Sequence, residues 1–395
     1  MNFVFVSLQR INTDRESTST SLAKELSKNH KVLYVNPPID RKTYYKTNDK
    51  FINEHIALIK NKKTGVIKST ANLSILNTTS LLESINWIPS TKVFSIFNYF
   101  NNKKFAREIQ QAIIDLNFDS FILINDKDIF RSFYLKELLK PELSVYLDRD
   151  YTLGVDYWKK HGTKLEPLLM KKSDLVVCNS HGFVSNALKH NKNSFYIGNG
   201  VDLELFEHST KHDVPNELKS LKKPIIGYVG ALGSLRLDLN LIIHAARARP
   251  SYAFVLVGDE DDSFKKSSLH AMGNVHFLGK IHKQDIPPYI KHFDVCINPQ
   301  IVNEITISNF PLKIIEYLAL GKPVVAVSTN TMLEVFSGHA YLSTTAEEFI
   351  NALDNAISED HPAVQKERIL FAKSFRWSKV VEILLGHIKS VKGQI

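Results

Sequence analysis

Cysteines are few in this sequence of 395 residues, and long apolar stretches are missing. The two cysteines, Cys178 and Cys296, each lie inside an apolar run, so a disulfide framework is excluded and a reducing compartment is expected. The first residues, MNFVFVSLQRINTDRE, lack the basic leader and the apolar core of a signal peptide. No window approaches the roughly 18 to 20 apolar residues that a membrane span needs. These absences predict a cytoplasmic protein that is soluble or peripheral to a membrane.

Several site signatures are missing as well. No G-x-G-x-x-G follows a strand-like run, which argues against a dinucleotide dehydrogenase. No His, Asp and Cys residues cluster at metal-ligand spacing, so we expect neither a metal nor another cofactor. No nucleic-acid recognition motif is present, and the aromatic residues form no evident base-stacking platform, so nucleic acid is not an expected partner.

Positive charge is concentrated in the first half of the chain. Residues 1–200 hold 29 Lys and Arg against 19 Asp and Glu, whereas residues 201–395 hold 21 against 22. This asymmetry indicates an anionic partner for the first half, such as lipid headgroups, a phosphorylated acceptor or nucleic acid. A solvated basic face without a partner is the alternative. Aromatic and basic residues interleave at 41–50 and 93–107, and 60–63 is a short basic run. This composition is typical of segments that lie at an anionic bilayer surface.

Short apolar runs rich in β-branched residues alternate with helical patterns along nearly the whole chain, which predicts the α/β class. The predicted strands are NFVFVSL, KVLYVNPP, LSILNTT, SFILIND, LSVYLD, LVVCNS, SFYIGNGV, PIIGYVG, YAFVLVG, VHFLG, DVCINP and PVVAV. Because these runs are apolar throughout, both faces of each sheet should be covered by helices. The pattern predicts two doubly wound parallel sheets in tandem, with ligands bound in the loops that follow the strands.

The run NEITISNFPLKIIEYLALGKPVV, residues 303–325, is the strongest candidate site. It passes from a strand through a polar loop with Ser308 and Asn309, and enters a helix after Pro311. A helix N-terminus is a natural seat for phosphate, and Lys313 on the first turn would add a full positive charge. Glu316, three residues on, could accept both hydrogen bonds of a ribose diol. The alternative is a surface Lys–Glu pair.

Residues 224–240, PIIGYVGALGSLRLDLN, form a second candidate. A strand ends there at Gly230-Ala231-Leu232-Gly233, where glycines let the backbone approach a ligand closely. Arg236 in the same loop could bind a diphosphate with two parallel hydrogen bonds. An ordinary turn after the strand, without a ligand, would also explain the glycines.

A third run, VYLDRDYTLGVDYW, carries Asp148 and Asp150 where a strand ends. Either carboxylate could take a proton from an acceptor hydroxyl as a general base. Asp126, at the end of another predicted strand, and Asp14, in the loop after the first predicted strand, are alternative candidates for that role. All four could instead be loop caps or ion-pair partners.

Several of these runs occur in a specific order. They are VYLDRDYTLG, LEPLLMKKSDLVVCNSHGF, YIGNGVDLELF, IIGYVGALGSLRLDLNLI, FPLKIIEYLALGKPVVA and FRWSKVVEIL. In this order, and over almost its full length, the sequence resembles the two-domain GT-B glycosyltransferases, in particular the family-4-like bacterial enzymes of exopolysaccharide and teichuronic acid synthesis. The resemblance implies two Rossmann-like domains facing a cleft, with a C-terminal helix that crosses back to the first domain.

The resemblance also implies roles and boundaries. Glu316 matches the glutamate that holds the ribose hydroxyls, and Lys313 matches a lysine that some relatives use for phosphate. Gly230 and Gly233 match the loop against the diphosphate, and the backbone around Ile281 matches the place where the base is read. The domains implied are an acceptor domain at 1–203, a linker at 204–223, a nucleotide-sugar domain at 224–375 and the crossover helix at 376–395.

Two positions depart from the family pattern. Ser308 stands where many relatives have a glutamate that contacts the donor sugar, and Glu304 lies nearby but out of register. Ala231 stands where an arginine is usual, so Arg236 is the candidate substitute. The identity of the sugar and the stereochemistry of transfer therefore stay open.

These observations favour a metal-independent glycosyltransferase that moves a sugar from a nucleotide-sugar to a hydroxyl of a lipid-linked glycan, in bacterial cell-surface polysaccharide synthesis. The expected location is the cytoplasm, with peripheral binding at the inner face of the plasma membrane. A sugar-nucleotide epimerase of the same layout is an alternative and would turn over without an acceptor. A non-enzymatic nucleic-acid-binding protein is the other alternative, on charge alone.

Overall fold

A computed structural model describes residues 1–11, 13, 17–61, 65–207 and 213–393. The candidate base Asp14, and Lys62 and Lys63 of the basic stretch at 60–63, lie outside the described residues. The chain divides into two compact units, Met1–Gly198 with Val380–Ile395 and Asn199–Lys379. No helix in the described part of the chain is long and apolar enough to cross a membrane.

The first unit is an eight-stranded sheet with helices between the strands. Its strands are β1 (Asn2–Ser7), β2 (Lys31–Val35), β3 (Val66–Lys68), β4 (Leu73–Leu76), β5 (Ile122–Asp126), β6 (Leu143–Asp148), β7 (Leu175–Cys178) and β8 (Ser194–Tyr196). Its helices are α1 (Thr18–Ser27), α2 (Arg41–Lys46), α3 (Lys50–Lys60), α4 (Thr91–Asp115), α5 (Leu135–Leu139), α6 (Asp156–Lys172) and α7 (His181–Ala187). The spatial order is β3-β4-β2-β1-β5-β6-β7-β8, and every pairing is parallel except β3 with β4.

The second unit is a six-stranded, fully parallel sheet. Its strands are β9 (Ile225–Val229), β10 (Ala253–Val257), β11 (Val275–Gly279), β12 (Val295–Asn298), β13 (Val324–Val327) and β14 (Tyr341–Ser343). Its helices are α8 (Glu204–Glu207), α9 (Leu239–Ala248), α10 (Asp262–Lys265), α11 (Ile286–His292), α12 (Leu312–Ala319), α13 (Asn330–Phe336), α14 (Ala346–Ser358) and α15 (Pro362–Ala372), followed by α16 (Trp377–Lys392). The order β11-β10-β9-β12-β13-β14 is the doubly wound Rossmann order, which reverses direction between β9 and β12.

The apolar strands of the second unit are buried on both faces of the sheet. In β9, Ile225 and Val229 belong to one core cluster, whereas Ile226 and Tyr228 belong to the cluster on the other side. Alternate side chains of a strand point to opposite faces, so a strand between two helical layers must be apolar at every position. The prediction of two doubly wound parallel sheets is confirmed.

The unit boundaries differ in detail from the predicted domains. The first boundary falls between Gly198 and Asn199, a few residues before the predicted end at 203. The stretch predicted as a linker, 204–223, is not a bare connection, because Phe206 and Leu218 are buried in the core of the second unit. From Val380 onward, α16 belongs to the first unit.

Candidate donor site

The candidate site lies at the point in the second sheet where the strand order reverses. The loop after β9 and the loop after β12 are joined there by backbone hydrogen bonds. Asp238 N donates to Pro299 O at 2.9 Å, and Ile301 N donates to Arg236 O at 2.9 Å. Ligands of doubly wound sheets bind outside the carboxyl ends of the strands at this switch point. The topology therefore brings the two glycine- and proline-containing loops together where a ligand is expected.

Helix α12 is anchored against the end of β9. Its residues Ile314, Ile315 and Leu318 are fully buried and form its core face. Tyr317 is also fully buried, and its hydroxyl accepts a hydrogen bond of 2.9 Å from Val229 N. The packing fixes the first turn of the helix, and with it Lys313, beside the loop that begins at Gly230.

Lys313 projects onto that loop. Its ammonium donates a hydrogen bond to Tyr228 Oη and lies 3.9 Å from the centroid of the same ring. Gly230 has a φ of +143°, and a Cβ atom added there would lie 2.6 Å from Lys313 Nζ. A glycine at this position thus allows both the backbone conformation and the close approach of the ammonium.

Two charged groups, Glu316 and Arg236, influence the ionisation of Lys313. Burial lowers the pKa of Lys313 to about 7, the nearby Glu316 carboxylate opposes this shift, and the Arg236 guanidinium adds to it. Glu316 is half-buried and Arg236 is exposed. The structure therefore brings together Lys313 and Glu316 from one candidate run with Arg236 and Gly230 from the other.

The remaining predicted residues lie around this group. Ser308 and Asn309 are half-buried in the turn that leads to the buried Pro311. Asn309 Oδ1 is buried and has no hydrogen-bond partner among the described residues. Gly233 faces open space, with no heavy atom within 4 Å of a Cβ built there. Ile281 is half-buried against the core cluster that also contains Ile314.

Sequence reasoning missed Tyr228, which holds the candidate phosphate-binding ammonium. The side chain is 2% exposed and lies 85 positions from Lys313 in the sequence. The available signal was a tyrosine in an otherwise aliphatic strand, two residues before the glycine turn. A buried phenol needs a hydrogen-bond partner, and such a partner is most useful beside a polar site.

The three described candidate bases differ in accessibility. Asp126 is fully buried and accepts hydrogen bonds from Arg149 Nε at 2.6 Å and Ser7 Oγ at 2.7 Å. Asp148 is 1% exposed and accepts a hydrogen bond of 2.5 Å from Lys127 Nζ. The side chain of Asp150 is 41% exposed, and Arg149 Nη1 contacts its carboxylate at 2.5 Å. The role of general base stays a prediction, and accessibility favours Asp150.

Asp148 belongs to a buried ionic cluster. Lys127 is 3% exposed, has a φ of +55°, and donates to both Asp148 and Glu166, the latter at 2.6 Å. Burial would lower the pKa of Lys127, but the two carboxylates outweigh burial and raise it. Tyr146 Oη donates to Glu166 at 2.6 Å, which completes the cluster. This arrangement stabilises the strand ends and leaves little of either carboxylate for a ligand.

Within the described ranges, no three or more His, Cys, Asp and Glu side chains are grouped so that they could hold a metal ion. Cys178 and Cys296 are free and buried, and burial raises the pKa of both thiols well above the usual value. Both cysteines are therefore core residues.

Comparisons with known proteins agree with this geometry. Residues 223–359 match the family described as Glycosyl transferases group 1. The Bacillus subtilis (strain 168) protein TuaH, named as a teichuronic acid biosynthesis glycosyltransferase, is 26% identical over 222 residues. This match covers 53% of this chain and 55% of TuaH, so the chain spans about half the length of that relative. Sucrose-phosphate synthase from Thermosynechococcus elongatus has a TM-score of 0.69 at 16% identity, covering 100% of this chain and 99% of that chain. Anabaena HepE, solved in complex with UDP, has a TM-score of 0.67 at 15% identity, covering 98% and 99%. Residues 223–359 are therefore similar to the group 1 glycosyltransferases, and the chain as a whole has the GT-B fold of these solved structures.

Proposed function

We propose that the chain transfers a sugar from a nucleoside diphosphate sugar to a hydroxyl group of a glycan acceptor. The observation that carries the proposal is the convergence of Lys313, Arg236, Glu316 and Gly230 at the switch point of the second sheet. Two cations beside a helix N-terminus suit a diphosphate, and a neighbouring carboxylate suits a ribose diol. Anabaena HepE binds UDP and UDP-glucose, which supports a uridine nucleotide as the first donor to test.

In the proposed reaction, the bond between the anomeric carbon and the diphosphate oxygen breaks while the acceptor oxygen bonds to that carbon. The leaving diphosphate gains negative charge in the transition state, and Lys313, Arg236 and the amides of α12 would stabilise it. The chain's own cations would thus supply the stabilisation that a divalent ion supplies in other transferases. The acceptor hydroxyl loses its proton to a base, for which Asp150 is the accessible candidate.

Nucleotide binding tests the donor site directly. A thermal-shift panel of UDP, GDP, ADP, TDP and CMP should show stabilisation by one nucleoside diphosphate, about 2.7 kcal/mol at a hundredfold excess over Kd. Glu316→Ala should weaken that binding by about tenfold to a hundredfold, because a hydrogen bond to a charged group contributes about 1.5–3 kcal/mol. Glu304→Ala, which removes an exposed carboxylate from the loop before α12, is the matched control and should bind as the wild type does. Equal affinity in the wild type and Glu316→Ala would contradict the ribose assignment.

We further propose that the acceptor is lipid-linked and that the first unit binds the inner surface of an anionic membrane. Helix α4 carries an exposed apolar stripe of Val93, Ile96, Phe97 and Phe100, which are 43%, 59%, 50% and 58% exposed. Residues spaced by three and four lie on one helix face. Exposed basic side chains flank this stripe at Lys92, Lys103 and Arg107. Apolar residues that insert between headgroups, next to cations that attract anionic lipid, suit a peripheral membrane surface.

Vesicle co-sedimentation tests the membrane proposal. The protein should sediment with phosphatidylglycerol-containing vesicles and much less with phosphatidylcholine vesicles. Phe97→Glu should abolish most of this binding because it places a carboxylate within the stripe. Ile114→Glu, at a 58% exposed position about 20 Å farther along the same helix, is the matched control. Equal sedimentation with both lipids, or equal loss in both variants, would reject the assigned surface.

A further inference from the structure

Tyr228 lies beside the candidate donor site but is itself hidden from a ligand. It belongs to β9, and its side chain is 2% exposed. Its hydroxyl nevertheless contacts two groups of the site, the ammonium of Lys313 and, at 3.2 Å, the backbone carbonyl oxygen of Ala231. A side chain this deeply buried does not reach a bound nucleotide, so its influence on binding has to pass through these two neighbours.

The chemistry of the three groups fixes the direction of both hydrogen bonds. An ammonium has only donors, and a carbonyl oxygen has only acceptor positions. The phenol of Tyr228 must therefore accept from Lys313 and donate its own proton to Ala231 O. A neutral amine, in contrast, can accept a hydrogen bond. Loss of the Lys313 proton would thus allow the phenol to turn from Ala231 O toward the amine.

The carbonyl that Tyr228 holds belongs to the loop that begins at Gly230. The same peptide group carries the amide of Leu232, which donates to Asp259 O at 2.8 Å. One peptide plane of the loop is therefore fixed on one side by the phenol and on the other by the segment after β10. Gly230 N also donates to Val257 O at 2.8 Å. A loop that is ordered in this way before a ligand arrives loses little entropy on binding.

The aromatic ring of Tyr228 contacts the same ammonium. Lys313 Nζ lies 3.9 Å from the ring centroid, which is within the range of a cation–π interaction. Burial lowers the pKa of Lys313, Glu316 on the same helix opposes this shift, and Arg236 from the loop after β9 adds to it. The ring and the hydroxyl of Tyr228 both favour the charged amine. Because an ammonium has three donors, the bond to the hydroxyl fixes one of them and sets the direction of the other two.

We infer that Tyr228 is a positioning residue of the donor site, which holds Lys313 as a directed ammonium and ties it through Ala231 to the loop at Gly230. The inference rests on the proposed function, because a directed cation and an ordered loop contribute to binding only where a diphosphate is bound. It identifies one buried oxygen atom, Tyr228 Oη, whose removal should weaken donor binding although it touches no part of the donor.

Titration of Lys313 in the free protein tests the role of the hydroxyl directly. The full chain is labelled with carbon-13 at the lysine ε-carbon, and the Lys313 signal is assigned by its absence in Lys313→Met. Tyr228→Phe keeps the ring and the packing but removes the acceptor of the ammonium. The midpoint should therefore fall from about 7 in the wild type to about 6 in this variant.

Tyr317→Phe is the matched control for this titration. Tyr317 is fully buried and lies one turn farther along α12, and its hydroxyl accepts from Val229 N rather than from an ammonium. This variant also loses one buried phenol oxygen, but it should keep the wild-type midpoint of Lys313. The same midpoint in the wild type and Tyr228→Phe, or the same decrease in both phenylalanine variants, would overturn the inference.

Calorimetry with UDP-glucose at about pH 7.5 tests the consequence for binding. Tyr228→Phe should weaken binding by about tenfold in the wild-type chain. In the Lys313→Met background the loss should be only about twofold, because only the bond to Ala231 O is left to remove. A merely structural role would lower the affinity equally in both backgrounds, and that result would overturn the inference. A wild type that binds no nucleotide would instead contradict the donor proposal, and the titration of Lys313 would still decide the role of Tyr228.

Discussion

Binding of an intact nucleotide-sugar should weaken as the pH rises above neutrality, because Lys313 loses its proton there in the free protein. Burial lowers the pKa of Lys313 to about 7. A bound diphosphate places negative charge beside the amine and favours the ammonium, so the pKa in the complex must be higher. Binding then takes up a proton. The contribution of the ammonium to the binding free energy is fully present below pH 7. It is lost between pH 7 and the pKa of Lys313 in the complex.

The size of the effect follows from the thermodynamic linkage between proton binding at Lys313 and nucleotide-sugar binding. In that interval the affinity should fall by up to about tenfold per pH unit, or about 1.4 kcal/mol, and it should be flat below pH 7. Removal of the Lys313 charge by substitution should weaken the binding free energy by about 1.5–3 kcal/mol at low pH, which is the range for a charge-assisted hydrogen bond. Lys313→Met should therefore bind about tenfold to a hundredfold more weakly at pH 6, with little dependence on pH.

Calorimetric titration with UDP-glucose from about pH 6 to about pH 8.5, in buffers of different ionisation enthalpy, measures affinity and proton uptake together. The intact nucleotide-sugar is the right ligand because the terminal phosphate of free UDP itself titrates near pH 6. The wild type should take up about half a proton or more near pH 8, and Lys313→Met none. A flat profile in the wild type, or the same slope in Lys313→Met, would refute the argument.

Two further predictions concern the stability of the two units. Lys127→Met should lower the free energy of unfolding of the first unit by about 3–5 kcal/mol in urea, because it leaves two buried carboxylates without their shared cation. A decrease below about 1 kcal/mol would show that the cluster relaxes or takes up a proton instead. Gly258→Ala should destabilise the second unit, since Gly258 has a φ of +150° and an added Cβ would lie 1.9 Å from Gly230 O. Gly233→Ala is the matched control and should leave the unfolding midpoint nearly unchanged, because its Cβ would enter open space; equal midpoints for the two glycine variants would contradict the close packing.

The fold was predictable because its strongest signal is local. Strands buried on both faces are apolar at successive positions, and this pattern is visible in a single sequence. The strands that were not predicted, Val66–Lys68 and Tyr341–Ser343, are three residues long and lie at sheet edges, where they are only partly buried. Short edge strands carry too few apolar positions to stand out from loops.

The candidate donor site was predictable in part for a similar reason. Lys313 and Glu316 lie on adjacent turns of one helix, so their spacing alone places them near each other. The contact of Lys313 with Tyr228 depends on which strand packs against that helix, and the spacing of residues within one segment does not contain this information. The glycine at position 230 indicated a close approach, but it did not identify the ammonium as the group that approaches.

The candidate bases could not be ranked from their positions at the ends of strands alone. Asp126, Asp148 and Asp150 look equivalent in the sequence because each lies at or just after the end of a parallel strand. What separates them is the distribution of cations around them, which comes from Lys127 and Arg149. Lys127 is held between two buried carboxylates, and Arg149 reaches both Asp126 and Asp150. A carboxylate that is fully buried against a cation can neither meet a substrate hydroxyl nor take its proton without breaking that pair. Of the three candidate bases that the structure describes, only Asp150 combines a stabilising cation with an accessible oxygen. Substitution of Asp150, and not of its two buried neighbours, therefore separates a loss of chemistry from a loss of structure.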